Sequence, residues 1–134
     1  MRYVLCLFAI ASFSFAQQPA SEGTCGVSAS ALTRTTMYFG LNKPKGSITE
    51  TQWRDFLRMQ VTPRFPDGLT VWQANGQWRG PDGRINKERA KVLLLVHEES
   101  ADVRAAIVAI IAAYKHDFQQ ESVLWETARV CAAF

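Results

Sequence analysis

With 134 residues, 48% of them hydrophobic and 20% charged, the chain has apolar material for one packed domain and too little length for two. A formal charge of +3 falls short of the basic stripe that nucleic-acid binding requires, so no nucleic-acid partner is expected.

The chain opens Met1-Arg-Tyr, runs apolar from Val4 to Phe15 and reaches Ser14-Phe-Ala16 before Gln17. A basic start, a short apolar run and small residues at the last and third-last positions predict a secretory signal peptide over 1–16, cleaved after Ala16. Cleavage removes Arg2 with the leader and leaves 118 residues at +2. The expected location is therefore secreted or periplasmic. No later stretch is long and apolar enough to predict a membrane span. Residues 17–31, rich in Ser, Ala, Gly and Gln, read as a flexible lead-in, and 32–134 as a single α+β domain.

Two of the three cysteines lie beyond the leader, Cys25 and Cys131. In an oxidising compartment an even pair near opposite ends predicts a disulfide, with free thiols as the alternative. Two isolated cysteines lack metal-ligand spacing, and no metal is expected.

Residues 32–41 alternate, with Thr33, Thr35, Met37, Phe39 and Leu41 on one side and Arg34, Thr36 and Tyr38 on the other: a half-buried strand. Thr49-Glu-Thr-Gln52 fits a capping box, with Ile48 and Trp53 as its hydrophobic staple, and opens a helix that ends before Pro63. Leu69–Ala74 is a second strand. Asn75-Gly76 is a strong type I′ hairpin signal, and a turn there sets Trp72 opposite Arg79. Pro81-Asp-Gly83 is a further turn. Glu88–Val96 is a central strand with a Val92-Leu-Leu-Leu-Val96 core. Ser100 caps a helix whose stripe Val103, Ala106, Ile107, Ile110, Ile111, Tyr114 and Phe118 keeps the 3.6-residue period. Ser122–Cys131 is the last strand.

This order predicts a ferredoxin-like (split βαβ) antiparallel sheet with two helices on one face and an extra β-hairpin. Its usual strand order brings Cys25 and Cys131 to one sheet edge. If Met37, Phe39, Leu69, Val71, Val92, Leu94 and Val96 face the helices, the open side receives Arg34, Thr36, Tyr38, Thr70, Trp72, Arg89, Lys91, Leu93, Leu95 and His97. Trp125 or Glu126 joins them, depending on register.

The stretches Val61-Thr-Pro-Arg-Phe-Pro-Asp-Gly-Leu-Thr-Val71, Gly76-Gln-Trp-Arg79, Glu88-Arg-Ala-Lys-Val-Leu-Leu-Leu95, Tyr114-Lys115 and Gln120-Glu-Ser-Val-Leu124 together resemble a bacterial domain-of-unknown-function family, number 3574. The resemblance spans roughly Thr33 to Cys131. It implies a small exported protein, often a lipoprotein, although this chain lacks a clear lipoprotein cleavage site. It brings no activity, substrate or catalytic residue.

His97-Glu98-Glu99 with Asp102 lacks a convergent third metal ligand, and solvated turn charges account for the same residues. His116-Asp117 suits a helix C-terminus. No nucleophile elbow or phosphate-cradling glycine loop is present, and Glu121 and Glu126 point to opposite faces of a strand. No catalytic residue and no cofactor are therefore predicted. Arg64, Asp67 and Gly68, with Asn75 and Gly76, read as loop and turn structure. Arg64 or Arg79 pairing Asp67 across the turn is the structural reading of those charges. The candidate ligand-binding set is Arg34, Tyr38, Trp72, Arg79, Arg89, Lys91 and His97. The leading expectation is a non-enzymatic interaction module that uses the open sheet face, with a homodimer through that face or an unknown protein partner. The alternative is a binder of a small anionic or aromatic molecule, or an enzyme, with a basic and aromatic pocket.

Overall fold

The computed structural model describes residues 25–134. The leader expected over 1–16 and most of the lead-in lie outside the described residues. Strand β1 (Ser30–Gly40) is followed by a miniature hairpin, β2 (Asn42–Lys43) and β3 (Gly46–Ser47). Helix α1 (Glu50–Phe56) runs into a π-helical turn over Leu57–Val61. Next come β4 (Thr70–Arg79), β5 (Ile85–His97), α2 (Ala101–Phe118) and β6 (Leu124–Ala132). The main sheet has four strands in the order β4-β5-β1-β6, every neighbouring pair antiparallel. The chain is therefore α+β. No helix among the described residues is long and apolar enough to cross a membrane.

Local chemistry sets the helix ends. The Gln52 N–H donates to Thr49 Oγ1 at 3.2 Å, and the Thr49 N–H donates back to Gln52 Oε1 at 3.0 Å, closing the capping box. At the far end the Thr62 N–H reaches five residues back to the Leu57 carbonyl at 2.8 Å, so the last turn widens before Pro63. Ser100 Oγ accepts from the Val103 N–H at 3.1 Å and starts α2. Gln119, with φ of 56°, ends it in a left-handed cap.

The core lies between the sheet and the two helices. Phe39 projects from β1 onto Trp53, at 5.3 Å between ring centroids, and Tyr114, at 4.6 Å; Phe56 and Tyr114 approach to 5.1 Å. Edge-on aromatic pairs of this kind contribute about 0.5–1.5 kcal/mol each beyond their burial. Cys25 and Cys131 are joined by a disulfide, with Cα atoms 5.5 Å apart, which ties the segment before β1 to the end of β6.

Two expectations need correction. The first is the face of β5. Met37 pairs with Leu93, Thr35 with Leu95 and Phe39 with Lys91, so the odd-numbered residues of β5 face the helices. Arg89, Lys91, Leu93, Leu95 and His97 thus leave the expected open side, and Val92, Leu94 and Val96 take it. The Val92–Val96 run is apolar at both parities, so alternation alone could not choose its register. The second is the hairpin. Asn75 and Gly76 lie inside β4, opposite Arg89 and Glu88, and Trp72 pairs with Val92 rather than Arg79. The chain reverses over 80–84: the Gly80 N–H donates to the Arg84 carbonyl at 2.8 Å, and Gly83 adopts φ of 79°. Turning there lets β4 and β5 pair over ten residues each, and a turn at Asn75-Gly76 would have given up the outer five, Asn75–Arg79 with Ile85–Arg89.

Candidate functional site

The candidate residues separate into three places. Arg34, Tyr38 and Trp72 stay on the open face. There Trp72, Val92, Tyr38 and Leu124 form one row across all four strands. Trp72 is 43% exposed and Leu124 67%, whereas Val92, between Trp72 and Tyr38, is only 1% exposed. The Tyr38 hydroxyl donates to Glu126 Oε1 at 3.2 Å. Burial first, then Glu126, holds this phenol above its ordinary pKa, with Arg34 acting in the opposite direction.

Arg79 and Arg89 sit on the exposed β4–β5 ribbon. Arg79 donates to the Gly83 carbonyl at 3.4 Å. Arg64 donates to the Gln60 carbonyl at 2.6 Å and does not pair with Asp67, so it fastens the π-helical turn to itself.

Lys91 and His97 are on the helix side. Lys91 is buried beside Phe39 and donates to Glu50 Oε2 at 2.7 Å, tying β5 to the first turn of α1. That contact accounts for a lysine on an apolar strand. Of the candidate set, His97 lines a cleft.

The cleft, of about 380 Å³, opens between α2 and the β1–β6 edge. Thr33, Thr35, Trp125, Thr127 and Arg129 form its sheet wall, His97 and Glu99 its end, and Val103, Arg104 and Ile107 its helical wall. Thr35 is fully buried, and its Oγ1 lies 2.9 Å from His97 Nε2. His97 Nδ1 lies 2.8 Å from the Glu98 carbonyl. A carbonyl only accepts, so Nδ1 carries the proton of the neutral ring and Nε2 accepts from the threonine hydroxyl. With both nitrogens committed, the imidazole is held in place as a wall of the cleft. Arg104 is ion-paired with Glu99 at the mouth. A wider hollow of about 850 Å³ lies on the other side of His97, lined among others by Arg64, Phe65, Asp67, Leu69 and Phe134. No three His, Cys, Asp or Glu side chains converge as a metal site among the described residues.

Reading the sequence missed Thr35, Trp125 and Arg129 as site residues. Thr35 carried a signal: a hydroxyl at an inward position, two residues from Met37, must find a partner when buried. Trp125 and Arg129 carried none, because their side of β6 depended on register.

Residues 34–134 match the model of a family described as protein of unknown function (DUF3574). The chain belongs to that family. No curated protein matches it in sequence. Among solved structures, the DUF3574 domain is similar to a phage SAM lyase in complex with S-methyl-5'-thioadenosine: TM-score 0.58, 17% identity, covering 86% of this chain and 97% of that one. A phage SAM lyase in the apo state gives a TM-score of 0.57 and 16% identity, covering 78% of this chain and 90% of that one. At these identities the likeness is one of fold.

Proposed function

We propose that this domain is exported and binds a small anionic or aromatic molecule in the cleft at His97. The observation that carries the reading is His97 itself, held from both sides by the Thr35 hydroxyl and the Glu98 carbonyl at the end of a polar cleft. Such a site has its polar groups oriented before the ligand arrives. Trp125 offers a ring face for stacking, and two arginines, Arg104 and Arg129, against the one carboxylate of Glu99 leave the lining with a positive balance that favours negative charge. The Cys25–Cys131 disulfide and the leader-like start support export. The strand order supports a ferredoxin-like, split βαβ assignment.

A similar fold takes S-methyl-5'-thioadenosine, so adenine thioethers are the first ligands to try, followed by nucleotides and aromatic carboxylates. The test is tryptophan quenching and thermal shift across that panel, on the parent domain and on Trp125→Phe. Quenching that disappears with Trp125 is expected. A panel that neither quenches nor stabilises contradicts the reading.

A second reading rests on the row Trp72–Val92–Tyr38–Leu124: self-association through the open sheet face. An apolar stripe across a whole sheet exceeds what solvation requires. Sedimentation of a strict monomer at high concentration removes it.

A further inference from the structure

The β4–β5 hairpin outruns the sheet. β1 pairs with β5 only from Ala90 to His97, so Asn75–Arg79 and Ile85–Arg89 form a two-stranded ribbon closed by the 80–84 turn. Five residue pairs carry it about 15 Å outward. Apart from partly buried Glu88, its strand residues are exposed.

Its composition is unlike that of a solvated loop. Trp78, 50% exposed, and Ile85, 53% exposed, occupy the last two pairs before the turn. They point to opposite faces, because Trp78 pairs with Asn86 and Ile85 with Arg79. Arg79, Lys87 and Arg89 share the face with Ile85, and Arg84 closes the turn. Of the two acids, Asp82 is paired with Arg84 at 3.8 Å. Glu88 folds back off the ribbon: its carboxylate accepts the Asn42 N–H at 2.9 Å and lies over Gly40. Four basic against two acidic residues give the segment +2 of the chain's +3.

We propose that this arm docks tip-first on an anionic lipid bilayer. A flat protein partner would cover Trp78 or Ile85 but not both. A bilayer interface surrounds the tip and takes up both, while Arg84 at the turn, Arg79 beside Ile85, and Lys87 and Arg89 behind them meet lipid phosphates. Tryptophan and snorkelling cations are suited to that depth. The arm lies on the membrane and does not span it.

The test uses the disulfide-bonded domain with phosphatidylglycerol–phosphatidylethanolamine vesicles, against phosphatidylcholine vesicles. Co-sedimentation with the anionic vesicles is expected, weakened by salt and accompanied by a blue shift of tryptophan emission that Trp78→Ala abolishes. Lys87→Gln with Arg89→Gln lowers partitioning about thirtyfold, about fivefold for each cation removed from the surface. Far-ultraviolet circular dichroism checks that each variant keeps its sheet; Trp78→Tyr, which keeps an interfacial ring, retains most of the binding. Absence of binding to the anionic vesicles overturns the proposal. So does binding that ignores both the Trp78 and the cation variants, or a blue shift that survives Trp78→Ala.

Discussion

Tyr114 makes the sharpest case for a single residue. It is fully buried among Phe39, Phe56 and Phe118, and its hydroxyl donates to the Gly40 carbonyl at 2.7 Å. Burial, aided by Glu88, pushes its pKa well above the ordinary tyrosine value. A phenol whose folded pKa is raised contributes stability that is complete below its unfolded value. That stability is lost as pH rises above about 10 toward the folded pKa. Tyr114→Phe should therefore cost about 1 kcal/mol at neutral pH by removing one hydrogen bond, and should flatten the decline in stability above pH about 10. Denaturant unfolding at several pH values measures both. Gly40 supplies a second test. A Cβ there would lie 2.6 Å from Glu88 Oε1, a carboxylate already holding the Asn42 N–H. Gly40→Ala should displace Glu88 and cost about 1 kcal/mol. In a Glu88→Ala background the same substitution should cost little, and a double-mutant cycle measures that coupling.

At the scale of elements, each structural motif was legible where one local interaction decides the outcome. The Thr49–Gln52 capping box, the Ser100 cap and the apolar stripe of α2 needed nothing beyond their own turns. β5 was not legible, because its apolar run satisfies both faces and the choice fell to distant partners. Lys91 meets Glu50, and His97 meets Thr35. Asn75-Gly76 misled for a related reason: a good turn dipeptide lost to the longer ladder that closes at Gly80–Arg84. This gives a paired prediction. Gly76 has no positive φ, and a Cβ there meets nothing nearer than the Glu88 carbonyl at 3.8 Å. Gly76→Thr should be neutral or slightly stabilising, as strand propensity favours threonine. Gly83 has φ of 79°, and Gly83→Val should cost about 1 kcal/mol or more. Thermal unfolding of the two variants compares them, and the opposite ranking would return the turn to Asn75-Gly76.

For the whole molecule, sequence order alone implied that the first and last strands would lie side by side and carry both cysteines to one edge. The disulfide spans 106 residues. Cys25→Ser with Cys131→Ser should lower the free energy of unfolding by about 5 kcal/mol on the chain-entropy estimate. Chemical denaturation with and without reductant checks the value. The site was less legible than the frame: of seven ligand-binding candidates, one lines the cleft. Its other walls come from β6 and α2, whose approach to His97 is a property of the assembled sheet. The cleft at His97 carries the functional account, and chemical-shift mapping on the isotope-labelled domain with S-methyl-5'-thioadenosine and the wider ligand panel addresses it directly. The account predicts shifts concentrated at Thr35, His97, Trp125 and Thr127. Shifts confined to Tyr38, Trp72 and Leu124, or none with any ligand, would contradict it.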